Sequence, residues 1–447
     1  MGILDKIAAA GIVGCGGAGF PTHVKLKGSF EYLIVNGAEC EPLLRTDRYL
    51  MRHKAADIVR AVAALGSELH IPNCVIALKE HYHEEEAALR AAIEASGVNV
   101  KLHLLESFYP AGDEQTIVHE VTGRVVPPAG LPSAAGAVVQ NIATVYAISQ
   151  AMNDAPFTHK YLTVTGEVKA PTVLCVPIGT SFSECIALAG GAKEKEYFVV
   201  AGGPMMGRPV PFSEVERSVV TKTTSGILVL PADGYHAKSY ATDVRRMLNR
   251  AKSACIQCSF CSQLCPRHML GHPLEPHRIM RKMAMAGNIS DMLDDPVIRS
   301  AQLCCECGVC ETYACPMGLF PRKINALIKG EMAKAGVRYS VPSRKWVPSP
   351  YREERKVPSE KAAARAGVHK YYNYDIPNLR DYEPSRVEIP TKMHIGAPAV
   401  ACVRVGDKVR VGDCIATPAE GALGAEIHAS ISGRVAAAGE RIVIEKE

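Results

Sequence analysis

The chain has 447 residues, too many for one hydrophobic core, so we expect several domains. Hydrophobic residues make up 47% of the chain and charged residues 22%, a composition that excludes disordered and fibrous classes. The net charge of +5 is spread along the chain without a long run of Lys and Arg, so nucleic acid is not an expected partner. No apolar stretch reaches about 18 residues and no secretory signal is recognised, so the sequence predicts a cytoplasmic protein with no transmembrane segment.

Residues 1–155 have the pattern of an α/β domain. Short apolar runs typical of buried strands alternate with stretches of helical periodicity. The apolar runs lie at 32–35, 75–78 and 100–105, and the helical patterns at 55–65 and 84–95. Ligands of such domains bind at the carboxyl ends of the strands.

A glycine-rich loop opens this domain. Four glycines and a lysine, Lys25, lie between positions 14 and 25. Glycine exposes backbone amides and the lysine adds a positive charge, so such a loop suits a phosphate group. A tight turn is the alternative interpretation of the loop.

Further polar groups follow later in the domain. Asn36, directly after the run at 32–35, can bond a flavin or ribose edge, and Glu39 and Glu41 lie at the carboxyl end of that strand. Two more polar clusters, at 109–115 and 140–144, interrupt apolar segments. Taken alone, each cluster fits a helix cap.

Residues 156–235 predict a small β-rich domain. Short strand patterns are separated there by Gly and Pro turns. The patterns lie at 161–164, 197–201 and 227–230.

The sequence contains 16 cysteines, which are concentrated in a module at residues 240–336. Thiols stay reduced in the cytosol, so grouped cysteines indicate metal ligands rather than disulfides. The first run has the spacing C-x2-C-x2-C-x3-C followed by proline, which is typical of ferredoxin-type iron-sulfur proteins. Its members are Cys255, Cys258, Cys261 and Cys265.

A second run repeats this pattern with four residues instead of three before its last cysteine. Its members are Cys304, Cys307, Cys310 and Cys315. In two-cluster ferredoxins the fourth cysteine of a run binds the other cluster. We therefore expect two [4Fe-4S] clusters, the first on Cys255, Cys258, Cys261 and Cys315, and the second on Cys304, Cys307, Cys310 and Cys265.

Two alternatives to this assignment remain. Cys305 competes with Cys304 for one ligand position, and the spacing favours Cys304. Two structural zinc sites of four thiolates each are the other interpretation, although zinc motifs rarely use three cysteines at x2 intervals.

The last part of the chain divides into a linker and a compact β domain. Residues 337–386 have scattered prolines and no sustained periodicity, which predicts an extended linker that wraps over neighbouring surfaces or stays partly mobile. Residues 387–447 show short strands and Gly-Asp turns. They resemble a barrel-sandwich hybrid of the lipoyl type, but no lysine lies between Cys414 and Ile431 to carry a cofactor.

Together these motifs resemble the flavin-bearing, NADH-oxidising subunit of complex I and the RnfC component of the Rnf electron-transport complex, over nearly the whole chain. The resemblance implies a multidomain α/β protein with a Rossmann-like FMN domain, a β-grasp (SLBB) domain, an α-helical two-cluster ferredoxin module and a C-terminal barrel-sandwich hybrid β domain. It implies Phe20 and Glu41 for NAD(H). It implies contacts with FMN for Gly16, Gly17, Lys25, Asn36, Tyr109, Gly112, Glu114, Asn141 and Thr144.

The sequence departs from the complex I pattern in two places and from the Rnf pattern in domain order. Cys15 stands where the complex I form has Arg, and Ala38 where it has Asp, so nicotinamide binding is less secure than flavin binding. The barrel closes this chain, whereas it is amino-terminal in the RnfC component. That order resembles the PduS-type cobalamin reductases of propanediol-utilisation microcompartments.

This last resemblance implies a function and partners. Electrons would pass from NADH through FMN and the two clusters to cob(II)alamin, held by an adenosyltransferase. The location would be cytoplasmic, inside or attached to a microcompartment, with shell or lumen proteins as partners. The alternatives are an RnfC-like protein that reduces ferredoxin or another partner, and a relay or scaffold protein without NADH activity.

Overall fold

The computed structural model describes residues 1–285, 288–374 and 379–447. Positions 286–287 of the predicted ferredoxin module and 375–378 of the predicted linker lie outside the described residues. Within the described residues, no helix combines the length and apolar character needed to cross a bilayer.

The N-terminal part of the chain folds into a parallel sheet covered by helices, which confirms the predicted α/β domain. Its elements are α1 Ile3–Ala9, α2 Thr22–Lys25, β1 Tyr32–Gly37, α3 Thr46–His53, α4 Ala55–Glu68, β2 Asn73–Lys79, α5 His83–Ser96, β3 Val100–Leu105, β4 Phe108–Tyr109, α6 Glu114–Thr122, β5 Ala137–Asn141 and α7 Ile142–Ala151. The sheet has the order β3-β2-β1-β5 with all neighbours parallel. The carboxyl ends of β1 and β5 therefore meet, with Asn36 opposite Asn141.

Strand β1 lies between two hydrophobic layers, as expected for a parallel sheet with helices on both faces. Leu33 and Val35 are fully buried in a core shared with α4 and α7. Ile34 points to the opposite face and packs in a second core with Ile117 of α6. The run at 32–35 is therefore apolar at every position because both faces of the strand are covered.

The second domain is built on a mixed sheet, in agreement with the predicted β-rich pattern. Its elements are β6 His159–Gly166, β7 Thr172–Pro177, α8 Phe182–Leu188, β8 Tyr197–Ala201, β9 Arg208–Val210 and β10 Gly226–Pro231. These strands have the order β7-β6-β10-β8-β9, and only the β6 and β10 pair is parallel. Helix α8 begins with a capping box, in which Ser181 and Glu184 bond each other's backbone amides.

The cysteine-rich module is helical, as predicted. Its helices are α9 Tyr235–Tyr240, α10 Val244–Ala254, α11 Phe260–Gln263, α12 Pro266–Met269, α13 Pro276–Met285, α14 Pro296–Arg299 and α15 Pro321–Lys334. Ile279 and Met280 of α13 pack against Ile324 and Ile328 of α15 in one hydrophobic core. These two helices thereby support both cysteine runs.

The segment that follows crosses the surfaces of the first two domains. It contains β11 Val357–Pro358, α16 Ser359–Arg365 and β12 Leu379–Asp381. Strand β11 pairs with β4 and β12 extends the edge of the second sheet beside β7. The sequence pattern of the predicted linker did not indicate α16, because this helix is only seven residues long and buries alanines, Ala362 and Ala363, rather than large apolar residues.

The C-terminal domain consists of two small sheets that enclose a core, as expected for the barrel-sandwich hybrid. Its strands are β13 Arg386–Pro390, β14 Ala399–Ala401, β15 Lys408–Val409, β16 Cys414–Pro418, β17 Ile427–His428, β18 Gly433–Ala438 and β19 Arg441–Glu445. The sheets have the orders β13-β19-β18-β15 and β14-β16-β17. Ile389 and Ile444 of the first sheet pack with Ile415 and Ile427 of the second.

Candidate functional site

A cavity of about 200 Å³ lies at the carboxyl ends of β1 and β5. Its wall includes the glycine-rich loop, the segment from the end of β1 to α3, the turn before α6, the junction of β5 and α7, parts of the second domain and the second cysteine run. The residues that line this wall include two glycines and twelve residues with polar or ionisable side chains: Cys15, Gly16, Asn36, Glu39, Cys40, Glu41, Asp47, Tyr109, Gly112, Asp113, Asn141, Lys160, Cys305 and Cys307.

Six of the eleven predicted FMN and nicotinamide residues line this cavity: Gly16, Asn36, Glu41, Tyr109, Gly112 and Asn141. The other five lie elsewhere. Lys25 and Glu114 form an ion pair with each other, and Phe20 is partly exposed. Thr144 is fully buried behind the loop, where its hydroxyl accepts a hydrogen bond from the Cys15 amide at 2.9 Å. Among the described residues, no heavy atom apart from those of Gly17 and its two chain neighbours lies within 4 Å of the Cβ position of Gly17.

Asn36 connects the end of β1 to the turn before α6. Its Nδ2 donates to the Gly112 carbonyl at 2.8 Å, and its Oδ1 accepts from the Ala38 amide at 3.1 Å. The Gly112 amide donates a hydrogen bond to Cys40 Sγ at 3.4 Å. These bonds hold two of the predicted polar clusters on one side of the cavity.

Asn141 organises the opposite side. Its Oδ1 accepts from the Ala143 amide at 2.9 Å, which caps α7, and its Nδ2 donates to Asp47 Oδ2 at 2.8 Å. A Cβ on Gly16 would lie 3.0 Å from Asn141 Cγ. The loop therefore approaches this side chain so closely that only glycine fits without a shift of its neighbours.

Three carboxyl groups in the cavity wall, buried Glu39 and half-buried Glu41 and Asp47, have raised pKa values. Burial raises the pKa of Glu41 to about 7, even though its Oε2 accepts from the Met205 amide at 2.8 Å. Burial also raises the pKa values of Glu39 and Asp47. A carboxyl group whose pKa is raised in this way suits an acid–base role.

Sequence reasoning missed Asp47 and Lys160 as cavity residues. Asp47 lies in the first turn of α3, where an acidic residue is expected for helix stability alone. Lys160 comes from β6 of the second domain and reaches the Cys15 carbonyl at 3.5 Å. Neither residue belongs to a local motif, so only the tertiary fold identifies them.

The predicted metal ligands form two groups of thiols, and each group draws on both cysteine runs. The first group surrounds one small cavity and consists of Cys255, Cys258, Cys261 and Cys315. In the second group, burial raises the pKa values of Cys265 and Cys310. The thiols of Cys305 and Cys304 raise the pKa of Cys265 further, and the thiols of Cys304 and Cys265 raise that of Cys310. Four cysteines around one point are the ligand set that a [4Fe-4S] cubane needs.

The additional residue of the second run is absorbed in a widened helical turn. At Val309–Tyr313 the chain forms a π-helical turn, in which the Ala314 amide donates to the Val309 carbonyl at 2.8 Å. A π turn accommodates one more residue than an α turn. Cys315 can therefore reach the first group despite the longer spacing.

Cys304 and Cys305 point into different surroundings. Cys304 packs against the core of the ferredoxin module, and its Sγ accepts from the Glu306 amide at 3.3 Å. Cys305 lines the cavity beside Cys307. The choice of Cys304 as ligand stays a prediction, with Cys305 as a neighbouring thiol on the cavity side.

The second thiol group lies directly against the cavity. The Tyr109 hydroxyl donates to the Cys307 carbonyl at 2.7 Å. Arg267, two residues after Cys265, forms a bidentate ion pair with Asp113 at 2.9 Å for both bonds. The turn before α6 and the cysteine module thus share buried polar contacts.

Four family models match successive parts of the chain. A Nuo51 FMN-binding domain matches residues 7–150, an SLBB domain 161–209, a 4Fe-4S dicluster domain 254–320 and an RnfC barrel sandwich hybrid domain 365–447. These matches confirm the expected fold class and the expected FMN and iron-sulfur cofactors. The glycine-lined cavity is compatible with FMN, and the two groups of cysteines are compatible with iron-sulfur clusters.

Full-length relatives match as well. The chain is 41% identical to the cobalamin reductase PduS of Salmonella typhimurium over 444 residues, which cover 99% of this chain and 95% of the relative. It is 40% identical to PduS of Citrobacter freundii over 435 residues, with coverage of 97% and 94%. A component of the proton-translocating ferredoxin:NAD(+) oxidoreductase complex of Clostridium ljungdahlii is 35% identical over 60% of this chain and 56% of its own length. The chain therefore belongs to the PduS family of flavin and iron-sulfur oxidoreductases.

Proposed function

We propose that this protein is a cobalamin reductase that transfers electrons from NADH, by way of FMN and two [4Fe-4S] clusters, to cob(II)alamin. The observation that carries the proposal is that Gly16 of the glycine-rich loop and Cys307 of the second cysteine run line one cavity. The names of the full-length relatives support cobalamin as the acceptor. FMN, when bound, takes up an electron pair from a nicotinamide and gives up single electrons, which is what cubane clusters accept.

The chain's own residues would bind and orient the flavin. Gly16, Asn36, Tyr109, Gly112 and Asn141 are proposed to contact it directly, because their atoms form the cavity wall. Asn36 donates to the Gly112 carbonyl and Asn141 accepts from the Ala143 amide, and these bonds fix the wall before a ligand enters, which lowers the entropic cost of binding.

The remaining predicted residues are proposed for more peripheral roles. Lys25 and Glu114 compensate each other's charge, so their ion pair would have to open for Lys25 to reach a phosphate. Gly17 offers open space for a ligand. Thr144 would act through the Cys15 amide rather than by contact.

Glu41 is proposed to accompany electron transfer with a proton. Its carboxyl is buried in the cavity wall, and burial brings its pKa to about 7. A proton held there can offset negative charge that arrives in the cavity. Phe20 and Glu41 are the proposed nicotinamide contacts, and the exposed fraction of Phe20, 36%, leaves its ring accessible to an incoming ligand.

Electrons would leave through the cysteine module. The group of cysteines that includes Cys265 and Cys307 adjoins the cavity. The cluster that these cysteines would hold is therefore proposed to be the first electron acceptor. The other group lies near the surface, where Ile256 is 61% and Met317 is 37% exposed. A partner that receives electrons would approach at this side.

The proposed arrangement of domains and partners follows from these assignments. We propose a flavin domain at 1–155, an SLBB domain at 156–235, a ferredoxin module at 240–336, a linker at 337–386 and a barrel at 387–447. An adenosyltransferase is the proposed holder of cobalamin, and shell or lumen proteins of a microcompartment are proposed partners in the cytoplasm. The barrel, which has no carrier lysine, is proposed to be a docking or packing module.

A second candidate is an electron-transfer protein of the RnfC type that reduces ferredoxin. It is favoured by the match to the component of the Clostridium complex and by the RnfC-type barrel. The extent of the alignments favours the first candidate. The Salmonella PduS relative aligns over nearly the whole chain, whereas the Clostridium relative covers 60% of it.

Steady-state reduction by anaerobically reconstituted protein separates the candidates. We expect NADH oxidation to be coupled to reduction of cob(II)alamin, and ferredoxin to be the poorer acceptor. Reduction of ferredoxin without reduction of cob(II)alamin would overturn the proposed acceptor. Iron-sulfur absorption without any flavin released on denaturation would instead favour a relay protein.

A further inference from the structure

The C-terminal barrel contains a cluster of metal-binding side chains far along the chain from both cysteine runs. In the sheet β14-β16-β17, Cys414 is the register partner of His428. Glu426 precedes His428 by two residues, a spacing that directs both side chains to the same face of a strand. Cys402 directly follows β14, and its amide donates to the Ile415 carbonyl at 2.9 Å. Three neighbouring strands thus bring thiol, carboxyl and imidazole groups together.

The ligand atoms are close enough to share one ion. Among the described residues, Cys414 Sγ, a carboxylate oxygen of Glu426 and a ring nitrogen of His428 lie within 4.8 Å of one another. His428 Nε2 is 3.6 Å from Glu426 Oε2. Ligand atoms around tetrahedral zinc, with bonds of about 2.0–2.3 Å, lie roughly 3.3–3.8 Å apart. Small side-chain rotations therefore suffice to close the site.

His428 points to a ligand independently of the cluster. Its side chain is only 5% exposed, and within the described residues its Nδ1 has no hydrogen-bond partner. A buried ring nitrogen without a partner is costly, because it has lost its hydration without a replacement. Metal-binding histidines bind through one ring nitrogen while the other donates a hydrogen bond to a nearby acceptor, and the Ala9 backbone is such an acceptor for the His428 ring.

The three side chains suit a thiophilic metal. Metal binding requires the thiolate of cysteine, the ionised carboxylate of glutamate and the neutral imidazole of histidine, so binding releases the thiol proton. A thiolate, a carboxylate and an imidazole together are ligands of Zn²⁺.

The charge of nearby Lys222 is compatible with this site. Its buried Nζ donates to the carbonyl oxygens of Gly11, at 2.6 Å, and of Glu426. A Zn²⁺ ion bound by one thiolate, one carboxylate and one neutral imidazole carries no net charge, so Lys222 would face a neutral complex. The other neighbouring imidazole, His394, has a pKa lowered by burial and adds no positive charge at pH 7.

We propose that Cys414, Glu426 and His428 bind one Zn²⁺ ion that fastens the barrel to the flavin domain. The fastening would act through Glu426, whose carbonyl shares Lys222 with Gly11 just before the glycine-rich loop. Gly11 has φ +65°, and a Cβ there would lie 2.2 Å from the Glu426 carbonyl oxygen. The sheet thus rests directly on the backbone that leads into the flavin loop. The Cys402 thiol donates to the Cys414 carbonyl at 3.4 Å, and a water molecule can complete the zinc coordination.

Metal analysis and zinc X-ray absorption of the intact, anaerobically purified holoprotein test this proposal, with Zn²⁺ itself as the probe. We expect about one tightly held zinc per chain in addition to the cluster iron, with one or two sulfur neighbours at about 2.3 Å and nitrogen or oxygen neighbours at about 2.0–2.1 Å. Absence of zinc after incubation with equimolar Zn²⁺ would overturn the proposal. Zinc with four sulfur neighbours would also overturn it, because that ion would occupy a cluster site.

Two variants and a control localise the ion. Cys414→Ser and His428→Gln should each lose most of the zinc while they keep the iron and flavin content of the native protein. His369→Gln removes an imidazole that is half exposed and 2.9 Å from Glu360, and it should keep the zinc. Zinc that persists in both Cys414→Ser and His428→Gln would overturn the assignment. Retained iron and flavin in these variants would show that the proteins are folded.

Discussion

Arg267 connects the ferredoxin module to the start of α6 in the flavin domain, and its replacement tests whether this contact holds the two parts together. The guanidinium donates to both carboxylate oxygens of Asp113 at 2.9 Å and to Gln115 Oε1 at 2.6 Å. Only 10% of the Arg267 side chain and 12% of the Asp113 side chain are exposed. Bidentate pairs of this kind are among the stronger polar interactions in proteins.

Arg267→Met should lower the free energy of unfolding by about 3 kcal/mol. Removal of one partner from a buried ion pair costs about 3–5 kcal/mol, because the other charge stays buried. Asp113 would keep two bonds, from the amide and the hydroxyl of Thr116, each at 3.1 Å, so we expect the lower end of this range. A loss of this size reduces the folding equilibrium constant roughly 150-fold.

Anaerobic urea unfolding of the holoprotein, followed by cluster absorbance and by circular dichroism, measures this loss. The matched control is Arg60→Met, which removes an ion pair to Asp57 of 2.7 Å in which the arginine side chain is 52% exposed. Exposed pairs contribute about 0–1 kcal/mol, so the control should stay close to the native protein. If Arg267→Met changed the free energy of unfolding no more than Arg60→Met does, the bidentate pair would not be the contact that holds the module.

Three further predictions concern the cavity and the second cysteine run. The pKa of Glu41, raised by burial to about 7, makes the carboxyl prefer its neutral form in the folded protein, so its contribution to stability falls as pH rises from about 4.5 to 7. Relative to Glu41→Gln, which cannot titrate, the native protein should therefore lose up to about 3 kcal/mol across that range in urea unfolding. Gly16→Ala should lower the flavin content, because its methyl group would lie 3.0 Å from the asparagine that caps α7, whereas Gly330→Ala in α15 meets no atom within 4 Å and should not. Cys305→Ser should keep both clusters by iron and sulfide analysis, and Cys304→Ser should lose one.

Each of these predictions has a clear contrary result. Parallel pH profiles for the native protein and Glu41→Gln would show that this carboxyl is not buried as a neutral acid. Equal flavin content in Gly16→Ala and Gly330→Ala would separate the loop from flavin binding. Loss of a cluster in Cys305→Ser, with both clusters kept in Cys304→Ser, would exchange the assignment of the two cysteines.

Local sequence patterns were sufficient for the elements with short-range physical causes. The run at 32–35 is uniformly apolar because both faces of β1 are buried, and strand assignment needs no knowledge of the partners. The cysteine spacings likewise state which residues come close in each run. The crossing of Cys265 and Cys315 between the runs is predicted by the ferredoxin rule, and Cys315 lines one small cavity with the first three cysteines of the first run.

Contacts between distant segments were beyond these patterns. Lys160 reaches the cavity from another domain, and Lys25 pairs with Glu114 although 89 positions separate them. Helix α16 buries alanines against Tyr109 and Tyr371, so its seven residues show no strong apolar period. In each case the partner is chosen by packing between domains, for which a single sequence gives no local signal.

Anaerobic titration of the reconstituted protein with NADH, combined with quantification of iron, sulfide and flavin, tests the proposed electron path from NADH to the clusters. We expect one FMN and about eight iron atoms per chain for two cubanes. This path predicts that NADH bleaches the flavin band and then the iron-sulfur absorption. Iron-sulfur absorption that dithionite bleaches but NADH leaves unchanged, or tetrahedral zinc at the two cysteine runs, would contradict it.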